Sequence, residues 1–111
     1  EEKGIEPGKV SKFRLKDENG TYTGIKGKII EVDVLVSDDK LYLIEVKSYA
    51  ELDQIQWFYE KIKPVEKALN RKVEKTFIVA VNIDEDAYEK ARELGIEVVA
   101  GNIIKSIEEH A

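Results

Sequence analysis

Two apolar runs, IIEVDVLV at residues 29–36 and LYLIEVK at residues 41–47, lie on either side of a short polar break, SDDK. Both are rich in β-branched and aliphatic residues, and a break this short leaves an antiparallel pair as their natural arrangement. Each run carries charge where a buried strand has none: Asp33 in the first, Glu45 and Lys47 in the second. Charged side chains are seldom buried without partners. Strand alternation puts Ile30, Val32, Val34 and Val36 on one face and Ile29, Glu31, Asp33 and Leu35 on the other. With a three-residue loop, Asp38-Asp39-Lys40, Asp33 falls opposite Glu45 and Glu31 opposite Lys47. A register one residue off would separate the two acids onto opposite faces.

The rest of the chain reads around this pair. EEKGIEPGKV (residues 1–10) is expected to be a flexible lead-in. KFRLK alternates like a half-exposed strand, and Asn19-Gly20 marks a turn. After Lys47 the period changes. Ser48 with Glu51 fits a capping box, and Leu52, Ile55, Tyr59 and Ile62 form a helical stripe. Pro64 is expected to kink that helix or open a second one, and Asn70 to end it. KTFIVAV follows as a buried strand, then a helix over NIDEDAYEKARELG closed by Gly95, then the strand IEVVA. A short helix is expected over residues 102–111. The order β-β-β-α-β-α-β predicts a meander, a helical crossover from LYLIEVK to a parallel TFIVAV, and a mixed sheet of α/β class in one domain spanning residues 1–111.

Composition narrows the function. A length of 111 residues supports one modest core. No apolar run is long enough for a membrane helix and no signal peptide is visible, so a cytoplasmic protein is the expectation. Cysteine is absent, which excludes disulfides and thiolate metal sites. Charged residues make up 37% of the chain, mostly Lys and Glu, and Met is absent; this bias resembles proteins of hot environments. A net charge of -5 gives no general attraction to nucleic acid. Binding would need a local basic face, drawn from Lys9, Lys12, Arg14 and Lys16, from Lys26 and Lys28, or from Lys61, Lys63, Lys67, Arg71 and Lys72. His110, the single histidine, stands near the chain end and suggests no histidine-based mechanism.

Two carboxylates meeting in a sheet repel each other unless a cation joins them. Mg²⁺ accepts one or two carboxylates and keeps several waters, and such a site can hydrolyse a phosphodiester. Lys47 would orient or activate the attacking water, or stabilise developing charge. The alternative is an Asp/Glu/Lys ion-pair network across a half-exposed sheet, and the residues alone leave both open.

Asp33, eleven intervening residues, Glu45-Val46-Lys47 and a following helix bearing glutamines resemble the PD-(D/E)XK nuclease superfamily, whose restriction-endonuclease-like fold is shared by archaeal Holliday-junction resolvases. EVDVLVSDDKLYLIEVKS together with ARELGIEVV resembles an archaeal group of such domains carried behind an N-terminal coiled coil. The resemblance covers roughly residues 25 to 100. It implies Asp33, Glu45 and the Val46 carbonyl as metal ligands, Lys47 as the catalytic lysine, and a helix glutamine in the site, Gln56 first and Gln54 second. It implies Mg²⁺, with Mn²⁺ able to substitute, DNA as the substrate of an endonuclease, and a homodimer. A non-catalytic nuclease-fold domain that binds nucleic acid or a protein is the other implied reading. The family's usual first helix, which often bears a further acid, has no counterpart here, and Glu1, Glu2 and Glu6 are poor substitutes for it.

Overall fold

The computed structural model describes residues 9–107. Its elements are β1 (Lys9–Asp17), β2 (Lys28–Ser37), β3 (Leu41–Ala50), α1 (Leu52–Leu69), β4 (Val73–Asp84), α2 (Glu85–Glu93) and β5 (Glu97–Ile104). The strands form one five-stranded sheet in the order β1-β2-β3-β4-β5. The first three run antiparallel, and β4 lies parallel to both β3 and β5. This is the expected mixed α/β sheet, a meander followed by a helical crossover, and it is consistent with a restriction-endonuclease-like fold. No described helix is long and apolar enough to cross a membrane.

Both helices pack on one sheet face, in contact with each other. Beneath them lie Phe13, Val32, Leu35, Leu41, Leu43, Ile78 and Ile83, which meet Ile55, Phe58 and Val65 of α1 and Ala87 and Ala91 of α2. Burying one such large side chain stabilises the fold by about 1.5–3 kcal/mol. Among the described residues the other face carries no helix, and Val46, Val81 and Val99 stand exposed on it.

Several expectations are corrected. The flexible lead-in expected over residues 1–10 is corrected at Lys9 and Val10, which belong to β1; residues 1–8 lie outside the described residues. Residues 102–104 are in β5 and residues 105–107 are not helical, so the helix expected over 102–111 does not form there; residues 108–111, with His110, lie outside the described chain. Ser48 does not cap α1. Residues 48–50 continue β3, because Tyr49 and Ala50 pair with Asn82 and Ile83 of β4. The cap moves to Glu51, whose N–H donates to Gln54 Oε1 at 2.9 Å. The buried stripe of α1 is Ile55, Phe58, Val65 and Ala68, while Leu52 and Tyr59 are exposed. Pro64 lies inside one continuous helix, which ends at Asn70 in the left-handed conformation, φ 54°.

Candidate active site

The site starts from a one-residue irregularity in β2. Ser11 pairs with Leu35 and Phe13 with Val32, so two steps on β1 span three on β2. The extra residue is a β-bulge at Asp33–Val34, a device that bends a strand and re-aims its side chains. It also resets the alternation: Ile30 and Val32 are buried before it, Leu35 and Ser37 after it. Ile30, Val32, Val34 and Val36 therefore do not share one face, and neither do Ile29, Glu31, Asp33 and Leu35.

The three-residue loop holds. Val34 pairs with Ile44, Leu35 with Leu43, Val36 with Tyr42 and Ser37 with Leu41. Arg71, just past α1, pins the loop by donating to Ser37 Oγ at 2.7 Å and to the carbonyls of Asp38 and Asp39 at 2.8 and 3.1 Å. The next pair in that register would be Asp33 with Glu45, but the ladder stops at Val34–Ile44. The bulge separates the strands there, and two carboxylates bridge the opening. Asp33 N–H donates to Glu45 Oε2 at 3.2 Å, and Val46 N–H donates to Asp33 Oδ2 at 2.9 Å. Each acid thus accepts a backbone N–H of the other strand, in place of the carbonyls that the ladder would have offered.

Glu45 is 4% exposed, and such a carboxylate needs cations. Lys47 Nζ lies 3.7 Å from Oε1 and Lys61 Nζ 3.3 Å from Oε2. Lys61 reaches in from α1 and also donates to the Glu31 carbonyl at 2.6 Å. Both lysines are under one-third exposed. Glu31 does not meet Lys47: its carboxylate accepts from Arg14 Nε of β1 at 2.7 Å.

The structure therefore brings together Asp33, Glu45, Val46 and Lys47. It does not bring in Gln56, which is exposed and makes no side-chain hydrogen bond among the described residues. At about 100° per residue, Gln56 sits about 140° around α1 from Lys61, on its outer side. Gln54 shares the Lys61 stripe, but its Oε1 is committed to the helix cap. Lys61 is the residue that sequence reasoning missed. It was visible only as one of a group of lysines, and its signal was a position beside Phe58 and Val65 on the true buried stripe.

Among the described residues no group of three or more His, Asp or Glu side chains could hold a metal ion. The donor set is smaller: two carboxylates across an opened ladder. Asp33 Oδ1 accepts no hydrogen bond among the described residues, which leaves it available. Val46 turns its N–H into the opening, and in an extended strand the carbonyl of the same residue faces the same neighbour. Two carboxylate oxygens and a carbonyl, with the rest water, suit a hard divalent ion.

Residues 28–97, more than half the chain, match the PD-(D/E)XK nuclease superfamily. The chain belongs to that superfamily. No curated protein and no solved structure matches it. Membership suggests nuclease-type phosphodiester hydrolysis and binding of nucleic acid, and nucleases of this superfamily typically use divalent metals. The matched residues run from the start of β2 to the start of β5 and contain the whole bulge site.

Proposed function

We propose that this PD-(D/E)XK domain is a metal-dependent DNA endonuclease working at the β2–β3 opening. The observation that carries the reading is the meeting of Asp33 and Glu45 at the bulge, with Lys47 beside Glu45. Asp33, Glu45 and the Val46 carbonyl would hold Mg²⁺, with Mn²⁺ able to replace it. The bound ion would supply an acidified water and neutralise charge on the phosphate. Lys47, held at the rim by Glu45, would orient the attacking water and stabilise charge on the phosphoryl oxygens. The buried Glu45 fixes the position of Lys47, and Asp33 fixes the strand separation that admits the phosphate. Two copies acting together would cut both strands of a duplex.

One observation favours a second reading, a nuclease-fold domain that binds without cutting. Lys47 and Lys61 already neutralise Glu45, as a purely structural network would require.

The test is cleavage of a panel of duplex, single-stranded and branched DNA with Mg²⁺, alongside thermal melts with and without the ion. Lys47→Ala should keep the Mg²⁺-dependent rise in Tm and lose at least about 100-fold in rate. Asp33→Ala should lose both the rise and the activity. Relief of carboxylate repulsion will not make Asp33→Ala more stable in metal-free buffer, because its carboxylate caps Val46 N–H. A loss of about 0.5–1.5 kcal/mol is expected instead. No Mg²⁺ shift in the parent, with a large stability loss in Lys47→Ala, would establish the structural network and end the nuclease reading.

A further inference from the structure

The geometry points to a nucleobase pocket beside the candidate active site, so that the domain takes DNA with an unpaired, unstacked base next to the scissile phosphate. This rests on the nuclease reading and adds the class of substrate. A cavity of about 510 Å³ opens between α1 and the start of β2. Its apolar walls are Trp57, Ile25, Ile29 and Pro64, and Lys28 and Lys61 supply its cations. Lys61 belongs to both places: it lines the cavity and holds Glu45 Oε2 at 3.3 Å. A group bound in the cavity is therefore one side chain away from the two carboxylates.

The chemistry of the walls selects a base. Trp57 is 58% exposed, one helical turn before Lys61, so its indole is not buried in the core and offers a flat stacking face. Ile25 and Ile29 are also exposed. An aromatic face with aliphatic sides and lysines at one end matches a base on its sugar-phosphate. Pro64 has no N–H, so the helical partner of the Glu60 carbonyl is missing on the turn of α1 that lines the cavity. Glu60 also lines the cavity, and its negative charge repels phosphate, which directs the backbone past Lys28 and Lys61 toward the acids. A base inside an intact duplex cannot reach Trp57 without leaving its stack, which costs free energy that a single-stranded, frayed or branched substrate does not spend.

Trp57 is the only tryptophan in the chain, so its fluorescence reports this pocket alone. In EDTA, where no cutting occurs, a short single-stranded DNA oligonucleotide should quench it saturably. The same oligonucleotide made abasic, and a blunt duplex, should bind at least about tenfold more weakly, the scale of one lost base stack. By anisotropy, Trp57→Ala should weaken binding of the intact strand about tenfold or more, and Trp57→Phe should restore most of it, with unchanged melts. Equal binding of intact and abasic strands, tighter binding of duplex, or no response to any DNA would overturn the pocket. Quenching by the single strand, with no member of the duplex, single-stranded and branched panel cut in Mg²⁺, would keep the pocket and refute the endonuclease. Cutting of duplex by Trp57→Ala at the parent rate would do the reverse.

Discussion

Asp17 is buried at the end of β1, where its carboxylate organises the turn into β2. It accepts Thr23 Oγ1–H at 2.6 Å, Thr23 N–H at 2.7 Å and Tyr22 N–H at 3.2 Å. Burial pushes this carboxyl up, but the hydrogen bonds from Thr23, Tyr22 and Thr21 together outweigh it and hold the group below its ordinary value of 3.8. The folded chain therefore binds this proton less readily than the unfolded chain. The stability from Asp17 is complete above the unfolded carboxylate value, about 3.9, and is lost as the pH falls through the lower folded value. Asp17→Asn should lower Tm at pH 7, and its difference from the parent should shrink as melts are taken from about pH 5 down to about pH 2. A difference that stays constant into acid would mean that the charge is not what holds the turn. Nothing in DENGTYTG announced this role, because the burial of Asp17 depends on where β1 meets the sheet. Asp33, Glu45 and Lys47 were legible for the opposite reason: a charge inside an apolar strand needs an explanation before any coordinates exist. Lys61 was not, since an exposed lysine and one that bends inward look alike until the helix phase is known.

At the scale of elements, the misread helix and strand boundaries share a cause. Ser48 is a good cap by itself, yet the parallel ladder to β4 continues through Ala50 and outcompetes it. Hydrophobicity alone cannot separate Leu52 and Tyr59 from Phe58 and Val65 as members of the buried stripe of α1. Packing beside α2 and over the sheet selects the second set. The bulge was equally hidden, because an extra residue in one strand is defined only against its partner. Gly101 in β5 is a further case. A Cβ built there would meet the Val81 carbonyl oxygen at 2.9 Å, a backbone atom that cannot turn aside. Gly101→Ala must push β5 away from β4 and should cost about 1–3 kcal/mol, read as a lower urea midpoint. An unchanged midpoint would show that the edge strand relaxes without loss.

At the scale of the molecule, strand order and direction were readable because short polar breaks force antiparallel neighbours and an 18-residue helix allows a parallel one. The order also ranks local stability. β3 and β4 lie inside the sheet, while β5 is an edge strand with most of its residues exposed. Amide hydrogen exchange should be slowest in Leu43–Glu45 and Ile78–Ala80 and fastest along β5, and equal protection across the sheet would contradict this ranking. The same order has a consequence for how the chain reaches its fold. Each strand lies beside the one made just before it, so among the described residues no strand waits for a distant partner and no segment passes beneath another. A chain emerging in the order of its synthesis can close β1–β2–β3 first, lay α1 over that platform, and add β4 and then β5 at a growing edge. The longest closure is the β3-to-β4 crossover, which makes the docking of α1 the natural slow step of folding and β5 the last strand to join.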